Sequence, residues 1–187
     1  MARSLLLLLA TATGAGAASQ GFVTLNNGVR MPQLAAGTWQ YSNATAGDSI
    51  AKAWKAGFTH FDTAESYANQ LGCGKEIASL LASGVKRSDI FVTTKTLPCS
   101  STTNMTAEAC EAQTQSDLQK DLKRLGLDYV DLILLHGPST RGTGSTDMCN
   151  AKACGADQGS WSALETMYAN KQVNRRGHCI SRPTRYV

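Results

Sequence analysis

Four side chains of complementary type follow one another along the chain: Asp62, Tyr67, Lys95 and His136. A phenol is a poor acid at its ordinary pKa of about 10. An ammonium group within ~4–6 Å favours the phenolate and moves that proton toward the working range. The ammonium in turn needs a carboxylate to keep it charged and in place. An imidazole can then orient an oxygen on which charge is developing. These are the parts needed to give a proton to a carbonyl oxygen while a hydride reaches its carbon. Singly, each is weak evidence, because a lone Tyr or His near a strand end is usually structural. Lys95 could also be a Schiff-base lysine of an aldolase-like barrel, since desolvated lysines on barrel strands do that work.

The elements that must position this set can be read in order. Residues 22–25 and 29–31 flank Asn26-Asn27-Gly28, a strong hairpin signal. Residues 34–39 read as a strand ending in Gly37-Thr38-Trp39. Ile50, Ala53, Trp54 and Gly57 fall at helical spacing. The β-prone residues 58–61 then deliver Asp62, and Tyr67 follows past a loop. Ile77, Leu80 and Leu81 predict a second helix that stops at Gly84. Residues 90–94 form a short strand ending at Lys95. Residues 107–126 predict the longest helix, with Leu118, Leu122 and Leu125 on one face and Lys120, Lys123 and Arg124 on the solvated one. The apolar run 130–135 suits a strand covered on both faces and ends at His136-Gly137-Pro138. Residues 139–159 are a loop by composition, and Trp161, Leu164, Met167 and Tyr168 make a fourth helix. Strands alternating with helices imply an α/β fold with a parallel sheet and right-handed crossovers. All four candidate residues then fall at or just beyond strand C-termini.

Three segments, met in order, resemble one family. Asp62-Thr63-Ala64 before Tyr67, Thr93-Thr94-Lys95-Thr96, and Leu134-Leu135-His136-Gly137-Pro138 are similar to the motifs of the aldo-keto reductases. The resemblance implies a (β/α)8 TIM-barrel fold, with Asp62, Tyr67, Lys95 and His136 as catalytic tetrad, Tyr67 as proton donor and Trp39 walling the substrate pocket. It also implies a small-molecule carbonyl substrate and NADP(H) as cofactor. The resemblance runs over roughly residues 21–173, an N-terminal hairpin plus about four β/α units. The last four units, which in that family hold most of the NADPH, are not matched. With 187 residues, the chain is short of the ~250 typical of such barrels. The open sheet edges of a truncated barrel invite self-association. The expectation is therefore an NADPH-dependent carbonyl reductase by ancestry. The alternative is a catalytically inactive, secreted half-barrel fragment.

The two ends and the cysteines add further expectations. Arg3, the apolar run 5–10 and Ala15-Gly16-Ala17 have the layout of a secretory signal over residues 1–18, too short to span a membrane. Gly14-Ala15-Gly16 resembles the start of a dinucleotide fingerprint, but neither strand nor helix frames it. Export agrees with the sequons Asn43-Ala44-Thr45 and Asn104-Met105-Thr106, and it places the protein in the secretory pathway or outside the cell. None of the six cysteines forms a C-x-x-C pair, so no metal site is expected. Cys99 with Cys110, and Cys149 with Cys154, bracket polar segments where local disulfides suit an oxidising compartment; unpaired thiols are the alternative. The net charge of +4 is mild, with no basic stripe for nucleic acid. His60 reads as strand filler and Glu65 as solvated. From Asn174 onward the apolar period stops, and Arg175, Arg176, Arg182 and Arg185 enter. Where the family's fifth strand should run, the expectation is a divergent basic tail over 174–187, from a shifted reading frame or a mis-spliced gene, or a genuine divergence.

Overall fold

A computed structural model of the chain describes residues 20–99, 105–139 and 151–178. The expected signal over 1–18, Asn104, Cys149, Cys179, Arg182 and Arg185 lie outside these residues. The chain opens with an antiparallel hairpin, β1 (Phe22–Thr24) and β2 (Arg30–Pro32), turning at Gly28 with φ +84°. A parallel sheet follows in the order β3 (Ala36–Gly37), β4 (His60–Asp62), β5 (Phe91–Thr96), β6 (Leu132–Leu135) and β7 (Arg176–His178). Between successive strands lie the helices α1 (Asn43–Lys55), α2 (Gln70–Ala82), α3 (Ala107–Leu125) and α4 (Ala151–Ala169). The register sets Gly37 beside Asp62, Asp62 beside Thr93 and Lys95 beside Leu134, so neighbouring strands finish at similar heights.

Each helix packs its apolar stripe on the sheet and on the next helix. Ile50 of α1, Ile77 of α2 and Leu118 and Leu125 of α3 are buried against Phe61, Val92 and Ile133 of the strands. Local chemistry sets the ends of α3. The Thr106 hydroxyl accepts the Ala109 N–H at 3.2 Å, and Gly126 stops the helix with φ +65°. Beneath the sheet, Arg87 donates to Asp131 Oδ2 at 2.7 Å and to the Ile90 carbonyl at 2.7 Å. Asp131 Oδ2 also accepts the Val92 N–H at 2.9 Å, which ties β5 to the entrance of β6.

Two expectations are corrected. The stretch 139–159 is not loop throughout, because α4 already begins at Ala151. Its glycines read as turn formers, yet Gly159 sits where α4 crosses α3. A Cβ there would collide with the Ala107 carbonyl oxygen and lie 2.9 Å from Cys110 Cβ. Small size, and not turn formation, is what the position requires.

The second correction concerns the tail. A fifth strand does run there: β7 pairs with β6 in register Ile133↔Arg176, Leu134↔Gly177 and Leu135↔His178, across the boundary expected at 173/174. Pairing rests on backbone bonds that any residue can make, including Val130 N–H to Gln172 O at 3.1 Å and Ile133 N–H to Arg175 O at 2.8 Å. Arg176 lies over the rings of Trp161 and Tyr168 while pairing with Glu165 at 3.1 Å. An arginine stem and guanidinium face can cover aromatic surface in this way.

Candidate active site

Because β4, β5 and β6 are parallel, their C-terminal ends open on one side of the sheet. Asp62 ends β4, Lys95 is the penultimate residue of β5, and His136 directly follows β6. Tyr67 closes a single 3-10 turn, Glu65–Tyr67, which the left-handed Ala68 (φ +56°) brings to an end. The structure gathers the four side chains. Lys95 Nζ lies 2.5 Å from Asp62 Oδ1, 3.1 Å from the Thr63 carbonyl oxygen and 3.1 Å from Tyr67 Oη. An ammonium has three N–H donors, and here each has an acceptor. Tyr67 Oη therefore accepts from Lys95, and its own hydrogen points elsewhere. The Tyr67 and His136 rings meet edge to face with centroids 5.7 Å apart. Lys95 is only 6% exposed, so the ammonium is held by these acceptors and not by water.

Trp39 stands on the same rim, its ring 4.7 Å from that of Tyr67 and more than half exposed. Two residues not singled out in the sequence complete the frame. Ser66 Oγ lies 3.2 Å from His136 Nδ1 and fixes the imidazole ring. Asn69 is fully buried. Its amide donates to the carbonyls of Thr38 at 2.7 Å and Tyr41 at 3.0 Å, and its Oδ1 accepts from the Thr38 and Thr63 hydroxyls, both at 3.4 Å. It locks the segment carrying Trp39 to the strand end carrying Asp62. An Asn directly before a helical pattern reads as an N-cap, but this side chain makes no capping bond. The available signal was its position two residues beyond Tyr67.

The threonines of β5 find partners on both faces. Thr93 Oγ1 bonds His60 Nε2 at 2.8 Å, and His60 Nδ1 faces the Pro32 carbonyl at 3.1 Å. Nδ1 must carry the proton donated to that carbonyl, so Nε2 accepts from Thr93. Burial holds the His60 pKa below its ordinary value, in keeping with strand filler. Thr96 donates to Glu65 at 3.2 Å, so Glu65 is half-buried and bonded and not simply solvated. Thr94 accepts from Gln70 Nε2 at 2.9 Å.

Behind that contact lies Asp121, 1% exposed, its pKa pushed up to about 7 mainly by burial, against the opposing pull of Gln70 and Arg124. Arg124 reaches Asp121 Oδ1 at 3.3 Å, a contact that by itself would suggest an ionised pair. The guanidinium is 42% exposed and screened by water, so burial outweighs it. Asp121 Oδ2 and Gln70 Oε1 are both buried without a partner.

A cleft of about 570 Å³ lies beside the tetrad. Glu65, Ser66, Leu97, Cys99 and Thr114 help to line it. No group of three or more His, Cys, Asp or Glu side chains among the described residues is arranged to hold a metal, and no helix there is long and apolar enough to cross a membrane. Among the described residues, the four gathered side chains fit the reacting end of a nicotinamide dinucleotide. Arg176 is engaged by Glu165, Trp161 and Tyr168.

Fold and site together define a class, and comparison with known proteins agrees. The Aldo/keto reductase family matches over residues 31–179, and the chain belongs to that family. It is similar to Aldo-keto reductase family 4 member C11 of Arabidopsis thaliana, 34% identical over 149 residues that cover 79% of this chain and 45% of the relative. An aldo/keto reductase structure from Brucella melitensis superposes with a TM-score of 0.69 at 33% identity, covering 88% of this chain and 56% of that one. A Bombyx mori aldo-keto reductase in complex with NADP superposes at 0.67 with 30% identity, covering 87% and 51%. The chain thus spans about half the length of the relatives it matches.

Proposed function

We propose that this chain carries the proton-transfer half of an NADPH-dependent carbonyl reductase, with Tyr67 as the acid. The observation that carries the reading is the Lys95 ammonium, bonded at once to Asp62, Thr63 and Tyr67. When bound, the dinucleotide would supply the hydride. Tyr67 Oη accepts from Lys95, which leaves its O–H to donate to a carbonyl oxygen. As that proton departs, the ammonium stabilises the negative charge left on the phenolate. Asp62 holds the ammonium in place, and His136, steadied by Ser66 at 3.2 Å, orients the carbonyl beside Tyr67. Trp39 forms the apolar wall. The three acceptors around Lys95 argue against the Schiff-base alternative, which needs a nitrogen lone pair directed at substrate.

The Bombyx mori relative, whose structure holds NADP, supports the choice of cofactor. We further propose that the groups gripping its phosphates lie beyond the described residues. The chain alone then binds NADPH weakly and turns over little. The test compares this chain with the same chain joined to the complementary half of a relative. NADPH binding is followed by fluorescence titration, and turnover by loss of NADPH absorbance with an aldehyde. The joined form should reduce the aldehyde and lose about 10²–10⁴-fold on Tyr67→Phe. Unchanged turnover in that variant would remove Tyr67 as the acid. Tight binding and Tyr67-dependent turnover by the short form would overturn the assignment of the phosphate grip.

A further inference from the structure

We propose that Cys99 and Cys110 are a modification site, an intramolecular disulfide that pins the segment leaving β5 onto the first turns of α3. In the structure both are thiols. Cys99 is 8% exposed and Cys110 0%, and with Ala156 of α4 they form a buried cluster of their own, apart from the main core. The placement is set from several sides. The Cys99 N–H donates to Ser160 Oγ at 3.0 Å, and Ser160 Oγ meets Thr114 Oγ1, one turn beyond Cys110, at 3.3 Å. Gly159, next to Ser160, leaves no room for a Cβ beside Cys110. The close approach of α3 and α4 thus seats the two thiols against each other. Cys73 differs: its thiol lies in the main core, directed at Thr63 and Asn69.

Burial, together with the Cys110 thiol beside it, pushes the Cys99 thiol up to about 12. Thiolate is the attacking species, so a closed pair exchanges slowly, and the bond forms while the segment is still open during folding. The co-reactant is a small disulfide such as oxidised glutathione. The thiolate of one cysteine attacks its S–S bond and expels one glutathione thiolate. The second cysteine then attacks the mixed disulfide and expels the other. Two protein thiols lose two protons and two electrons, and the oxidant's S–S bond takes up both electrons. The bond closes a loop of about a dozen residues, which by loop entropy lowers the unfolding constant roughly a hundredfold. Cys99 also lines the cleft beside the tetrad, so the pin holds one of its walls.

The test refolds the full chain from denaturant in a glutathione redox buffer, alkylates it and maps peptides without reduction. The Cys99 and Cys110 peptides should appear joined, two hydrogens lighter than their sum. Added reductant should raise the unfolding constant roughly a hundredfold, and Cys99→Ala/Cys110→Ala should abolish that response. Should the double variant not fold, the peptide map and the reductant arm on the unaltered chain decide the matter. Both cysteines recovered alkylated, or Cys99 joined to any other cysteine, would overturn the proposal. A bond that forms without moving the unfolding constant would overturn the pinning role.

Discussion

Replacing Asp121 by Asn should stabilise the protein at pH 8 and leave it nearly unchanged at pH 4. The folded state keeps the Asp121 proton up to about pH 7, whereas the ordinary carboxyl value is 3.8. Between those values the native state binds more protons than the unfolded chain, so stability falls as pH rises across the window. The contribution is complete below pH about 3.8 and gone above about 7. Roughly three pH units at about 1.4 kcal/mol each give an upper limit of about 4 kcal/mol. Asparagine is neutral throughout, so its burial carries no charge penalty at any pH. The Asn variant should therefore gain on the parent progressively from pH 4 to 8. His60 works in the opposite sense. Its pKa is depressed by burial, so its contribution is present above its ordinary 6.5 and is lost as pH falls. It is common to both proteins and cancels in the difference. The assay is urea unfolding of both proteins at several pH values. Parallel curves would refute the reasoning. They would mean that the Gln70 amide is rotated to donate to Asp121 and that the carboxylate stays charged.

Gly159→Ala should cost about 1–3 kcal/mol of stability, since the new methyl meets the Ala107 carbonyl at the α3–α4 crossing; thermal unfolding measures it, and an unchanged midpoint would show that the helices can part freely. With β3 and β7 as the outer strands of the described sheet, the isolated chain should self-associate; a single monomeric species in sedimentation at all concentrations would contradict this. Expression in a eukaryotic secretory host should yield mature protein lacking its first 17 or 18 residues; material that still begins at Met1 would sink that expectation.

The sequence by itself carried the residue types of the candidate site and the alternation of strands and helices. Asp62, Tyr67, Lys95 and His136 are recognisable because each ends or follows a short β-prone run, and parallel strands place such ends together whatever the side-chain detail. The apolar stripes of α1, α2 and α3 were legible for a related reason: helical periodicity is a local property, and Gly84 and Gly126 mark where it stops. What only the tertiary structure decided is everything that depends on a neighbour far along the chain. Gly159 looks like a loop residue until α3 is placed against it. Arg176 looks like the end of the fold until Trp161, Tyr168 and Glu165 surround it, because backbone pairing tolerates a charged side chain that aromatic rings can cover. Asn69 and Ser66 take their roles from Thr38 and His136, 31 and 70 residues away. Asp121 sits among charged residues that face water, and no local pattern sets it apart. Its proton is held by burial behind Gln70, a property of packing that sequence spacing does not carry.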